Sequence, residues 1–93
     1  MTVSISLSLL ILYVSDLDAS RDFYADLGLN LRREQHGMGP VHWSAQLDGG
    51  LVLELYPAGG GTVTRTRLVL RVPGAAEAAA EDPDGNLVLV EPA

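Results

Sequence analysis

Eighteen residues at positions 14–31, VSDLDASRDFYADLGLNL, constrain the fold more than any other stretch. They hold a strand end, a helix start, a short helix and a helix stop. Asp16 and Asp18 both suit an N-cap, because a short side-chain oxygen there accepts from the unpaired N–H groups of the first turn. Ala19, Phe23 and Leu27 recur at i, i+4 and i+8, one face of a 3.6-residue period, with Tyr24 beside it. Gly28 supplies the left-handed position just past the helix, and Leu29 can fold back on the last turn. A helix of about two turns does not persist alone in water. It must lie on a sheet, and the flanking segments read as strands.

The chain of 93 residues is one domain. A chain of that length buries roughly 60–65% of its unfolded surface, so its core is small. Apolar residues make up 47%, enough for a globular core. A net charge of −6 argues against nucleic acid as a partner, because phosphate binding needs clustered cations. Without Cys there are no disulfides or thiolate metal sites, which fits a cytoplasmic location. The apolar run ending at Val14 is too short to span a bilayer and no Lys or Arg precedes it, so no membrane partner and no signal peptide are expected.

Residues 4–14 alternate Ser with Ile and Leu, then become continuously apolar, which predicts a strand half open to water and half buried. Residues 29–34 form a short second strand. Residues 41–48 place Val41, Trp43, Ala45 and Leu47 on one face and His42, Ser44, Gln46 and Asp48 on the other. Trp43 is expected under the helix. Gly49-Gly50 predicts a two-residue hairpin, since both positions of such a turn take positive φ. Residues 51–57 return as its partner strand. Gly59-Gly60-Gly61 is a connector and not a phosphate loop, because no Gly-Lys-Ser/Thr follows. Residues 67–72 form a strand, residues 74–81 a short Ala-rich helix, and residues 87–91 the last strand. Asp82-Pro83-Asp84-Gly85 is a type I turn; its Asp spacing does not suit a calcium loop.

The segments VSDLDASRDFYADLGL, GGLVLEL at 49–55, RLVLRV at 67–72 and DPDGNLVLVE at 82–91 together resemble the vicinal oxygen chelate superfamily of glyoxalases, bleomycin-resistance proteins and extradiol dioxygenases. The resemblance implies an α+β fold: a βαβββ module over residues 1–57, a linker at 58–64, and a truncated second module over 65–93, forming a curved, half-open sheet. It places the metal-ligand positions of the family's enzymes on Leu9, Glu54, Arg67 and Leu89. Two leucines lack lone pairs and Arg is a donor only, so no metal is expected there. Glu54 is expected to pair with Arg67 instead.

Tyr13, Gln46, Glu54, Tyr56, Arg67, Arg71 and Leu89 are the expected ligand-binding residues, lining a cup of mixed polarity. The resemblance implies sequestration of an antibiotic-like or aromatic small molecule without metal or other cofactor. Two alternatives stay open: a glyoxalase-like lyase or dioxygenase using Glu54 and a divalent metal ion, and a non-catalytic dimeric interaction protein. His36 and His42 read as surface residues flanking a Gly-Pro loop. Two of eight expected strands are absent from the shortened second module, and the exposed edges predict a homodimer.

Overall fold

The computed structural model describes residues 3–92. Its helix forms where the capping residues place it. In α1 (Leu17–Asp26) the Asp16 carboxylate accepts the Ala19 N–H at 3.0 Å. At the other end Gly28 N–H reaches Ala25 O and Leu29 N–H reaches Tyr24 O, with Gly28 at φ +115°, a Schellman-type stop. The buried stripe is turned from the expected one. Ser20 and Tyr24 are buried, while Ala19, Phe23 and Leu27 flank them half-exposed. The small Ser20 lets the helix settle closely on the sheet, which polarity alone did not suggest.

Four strands form the first sheet in the order β1 (Leu9–Val14), β4 (Val52–Pro57), β3 (His42–Gln46), β2 (Arg32–Glu34). β1 and β4 run parallel and the other pairs antiparallel. The β3–β4 connection is three residues, Asp48, Gly49 and Gly50, closed by Leu47 N–H to Leu51 O at 2.7 Å. Both glycines take positive φ as expected, in a loop one residue longer than predicted.

The second sheet holds β5 (Arg67–Val72), β7 (Leu87–Pro92) and β6 (Ala78–Glu81), in that order. Residues 78–81 are therefore strand and not helix. The eight residues 74–81 behind Pro73 are too few to hold a helix without a packed face. The edge of β7 offers them a ladder instead, pairing Ala79 with Leu89. Relative to the first module, the second lacks its helix and one strand, not two strands.

One core serves both sheets. Leu12 and Val14 of β1, Leu53 and Leu55 of β4, Tyr24 of α1 and Val88 of β7 pack together, with Leu68, Leu70 and Trp43 against them. Arg21 of α1 lies over the Trp43 ring at 5.1 Å, confirming that the helix covers that face. The Asp-Pro-Asp-Gly turn closes as predicted, with Gly85 N–H to Asp82 O at 2.9 Å. It also bolts the two modules together: Tyr24 Oη donates to Asp82 at 2.7 Å, Ser15 donates to Asp84, and Thr66 N–H reaches Asn86 Oδ1.

Residues 3–8 fall short of the predicted strand. They lie outside both sheets, with Val3, Ile5 and Leu7 exposed. The linker meanwhile is less free than its glycines suggest, since Thr64 exchanges hydrogen bonds with the Tyr13 backbone at 2.8 Å. Among the described residues no helix is long and apolar enough to cross a membrane.

Candidate functional site

Strand pairing decides which side chains share a face. On the first sheet Ile11 is beside Glu54, Tyr13 beside Tyr56, Ser44 beside Glu54, Gln46 beside Val52 and Glu34 beside His42. Because side chains alternate along a strand, these residues all lie opposite the helix-covered core face. The face is polar at its centre, and its centre is shielded. His42 is 1% exposed and Glu54 13%.

Around His42 the geometry is tight. Its Nδ1 lies 3.2 Å from the Pro40 carbonyl, an acceptor to which the Nδ1–H tautomer donates. Its Nε2 faces Glu34 Oε1 at 3.2 Å, the Tyr56 hydroxyl at 3.4 Å and Glu54 Oε2 at 3.9 Å. The Tyr56 ring stacks on His42 with centroids 4.2 Å apart and planes 10° from parallel. Loss of hydration and the adjacent Glu54 and Glu34 carboxylates raise the Tyr56 phenol above its ordinary range.

A hollow opens on this face, and a second adjoins it on the side of the hairpin that carries Leu47 and Leu51. One, of about 450 Å³, is lined by Asn30, Arg32, Glu34, Ser44, Gln46, Val52 and Glu54. The other, of about 570 Å³, runs between the Gly28–Asn30 bend, the hairpin and β5, past Leu47, Leu51, Val69, Leu70 and Val72. Asn30 and Gln46 line both, so the two hollows adjoin and are together called the cleft; Glu34 and Glu54 line one, and Leu47, Leu51 and Leu70 line the other.

The structure brings Gln46, Glu54 and Arg71 to this cleft. Tyr13 and Tyr56 pack 6.2 Å apart on the same sheet face but outside its lining. Arg67 and Leu89 stand on the second sheet, with Arg67 exposed. Arg71 is also paired with Glu91 at 3.1 Å. The expected Glu54–Arg67 ion pair does not form. The two residues belong to different sheets, and Glu54 Oε2 lies 3.9 Å from His42 Nε2 instead. The expectation that His42 is a surface residue also fails, since its ring is enclosed by Tyr56, Glu34 and the Pro40 carbonyl.

The strand-helix-strand start and the paired modules have counterparts among known proteins. The family described as bleomycin resistance protein-like N-terminal matches residues 9–41. The solved structure of oxidase ChaP-H2 superposes with a TM-score of 0.72 at 19% identity, over 98% of this chain and 95% of the other. TnmS3, titled an antibiotic binding protein from Streptomyces sp. CB03234, superposes with a TM-score of 0.61 at 22% identity, over 98% of each chain. The chain has a bleomycin-resistance-like vicinal oxygen chelate fold. Among curated proteins none matches the sequence.

The four positions at which the family resemblance places metal ligands lie on both sheets. Leu9 and Leu89 have no donor atom, Arg67 has no lone pair, and Glu54 alone remains. The group that sequence reasoning missed lies one strand further out: Glu34, His36 and His42. The clue was present, since the alternation of residues 41–48 sets His42 on the same face as Ser44 and Gln46.

Proposed function

We propose that the protein binds and sequesters an aromatic or antibiotic-like small molecule in the cleft, using no metal at the fold's usual strand positions. The cleft carries this reading. Its two hollows have volumes of the size that small-molecule sites use, and they join an apolar wall to two carboxylates. A flat apolar body fits along Leu47, Leu51 and Leu70. A cationic or N–H-bearing end fits against Glu54 and Glu34, in keeping with the net charge of −6. Gln46, at the junction, can donate to and accept from the same ligand. The antibiotic-binding title of TnmS3 supports the ligand class.

Thermal melting in EDTA, with a panel of cationic aromatic antibiotics that includes bleomycin, tests this. A ligand at a hundred times its Kd adds about 2.7 kcal/mol. In a domain this size that raises Tm by roughly 10–20 °C. Glu54→Gln is expected to weaken the response at equal ligand concentration. A panel that leaves Tm unmoved overturns the proposal.

The same proposal includes a homodimer. Val3, Ile5 and Leu7 are 63%, 85% and 64% exposed, and they alternate with Ser4, Ser6 and Ser8 as a half-buried strand does. A second chain offers that arm an apolar face and an open strand edge. Light scattering at micromolar concentration is expected to give twice the 9.9 kDa chain mass. The triple variant Val3→Ser, Ile5→Ser, Leu7→Ser is expected to give the single mass. A monomeric wild type overturns the dimer.

A further inference from the structure

We propose that Glu34, His36 and His42 form a binding site for one divalent transition-metal ion at the β2 edge of the first sheet. One ligand atom from each of the three residues lies within 4.8 Å of the others. Glu34 Oε1 stands 3.2 Å from His42 Nε2 and 3.8 Å from His36 Nε2. Bonds of about 2.0–2.1 Å to a tetrahedral ion set ligand atoms roughly 3.4 Å apart, so small side-chain rotations close the site. Two imidazoles and a carboxylate suit zinc, cobalt, nickel or ferrous iron and do not suit calcium or magnesium, which take oxygen ligands.

The second observation is the setting of His42. It is buried, and in the tautomer whose Nδ1–H donates to the Pro40 carbonyl its Nε2 lone pair is aimed at the cluster. A metal-bound imidazole is held in just this way, with its other nitrogen donating to a backbone carbonyl or carboxylate. The Tyr56 stack fixes the ring plane. Without an ion, a neutral Nε2 turns its lone pair toward the Glu34 and Glu54 carboxylates, at 3.2 and 3.9 Å. Among the described residues no Arg is ion-paired with either carboxylate. A bound cation relieves that arrangement.

The loop is set for the purpose. Gly39 N–H bonds to His36 O and Gln35 Nε2 to Gly39 O, both at 3.0 Å, and Gly37 takes φ +57°. This turn brings the His36 ring to 5.1 Å from His42. His36 and Glu34 are open to solvent, at 75% and 38% exposure, so an ion has an entry path and room for water or a ligand donor. Glu54 Oε2 also stands on the Nε2 side of His42, at 3.9 Å. The site stands on this geometry and does not depend on the small-molecule reading, although Glu34 and Glu54 also line one hollow of the cleft.

Calorimetric titration of chelator-treated, desalted protein with zinc chloride, with no organic ligand present, tests the site. Cobalt chloride followed by visible absorption reports the coordination. One ion per chain is expected, with the intense cobalt bands of a four- or five-coordinate site. His36→Ala and Glu34→Gln are each expected to weaken binding at least tenfold. Both positions are solvent-accessible, and circular dichroism confirms that the variants fold. Magnesium is expected to give no heat. Absence of zinc binding, or equal zinc affinity in wild type and His36→Ala, overturns the site. Neither result touches the melting experiment in EDTA, so the two readings fail separately.

Discussion

Asp82→Ala is expected to cost about 3–5 kcal/mol of stability. The Asp82 carboxylate is 4% exposed and accepts four hydrogen bonds. Oδ1 takes the backbone N–H groups of Asp84 and Asn86, each at 2.9 Å. Oδ2 takes Asn86 Nδ2 at 3.0 Å and Tyr24 Oη at 2.7 Å. Hydrogen bonds to a charged group contribute about 1.5–3 kcal/mol each, and a buried donor left unpaired costs about 1–3 kcal/mol. These do not simply add, because the truncated turn can relax and admit water. Two losses are nonetheless unavoidable: the turn loses its organising acceptor, and Tyr24 loses its partner. The contact also joins α1 of the first module to the turn before β7 of the second, so the damage reaches the packing of both sheets. A loss of 3 kcal/mol lowers Tm by roughly 12–24 °C in a domain of this length. Urea unfolding and thermal melting of the variant check it. Asp82→Asn keeps the shape but turns one acceptor into a donor, and is expected to fall between wild type and Ala. A change under about 1 kcal/mol in Asp82→Ala would show that the turn holds without the carboxylate.

That turn shows what a sequence can and cannot disclose. Asp-Pro-Asp-Gly announces its own backbone path, because Pro fixes one φ and Gly permits a positive one. The caps of α1 and the alternation of β3 and β4 are legible for the same reason: each depends on neighbours within a few positions. Residues 74–81 are not. Their Ala content favours helix in isolation, and the free edge of β7, invisible to local pattern, makes residues 78–81 strand. Ser20 shows the same limit on the helix, where close packing and not polarity chose the buried position. At the site, the face carrying Gln46 and Glu54 could be read from period-two alternation. The Glu54–Arg67 pair could not, because it presumed a single continuous sheet where two sheets form. The Glu34–His36–His42 cluster needs the β2–β3 register, which brings Glu34 opposite His42, and the turn that folds His36 back over them.

Alkaline pH is expected to weaken the protein through Tyr24, and Tyr24→Phe is expected to remove that part of the weakening. The Tyr24 side chain is buried at the centre of the core. Burial, its hydrogen bond to Asp82, and the charges of Asp82 and Asp84 push its phenol far above the ordinary value of 10.0. Below pH 10 both the folded and unfolded chains hold the proton, so the contribution of Tyr24 is fully present. Above pH 10 the unfolded chain releases it and the native chain does not. Stability therefore falls as pH rises, by about 1.4 kcal/mol per unit from this one group. Tyr24→Phe loses the hydrogen bond to a charged acceptor, about 1.5–3 kcal/mol at neutral pH, but has no phenol to ionise. The wild-type advantage is then expected to stay constant up to about pH 10 and to shrink by about 2 kcal/mol by pH 11.5. Other tyrosines, Tyr56 among them, titrate in both proteins, so the difference between the two curves isolates Tyr24. Urea unfolding at half-unit steps from pH 8 to about 11.5 measures it. Parallel curves across that range would mean that Tyr24 ionises in the folded protein, and would sink the claim that its hydroxyl is locked between the helix and the turn.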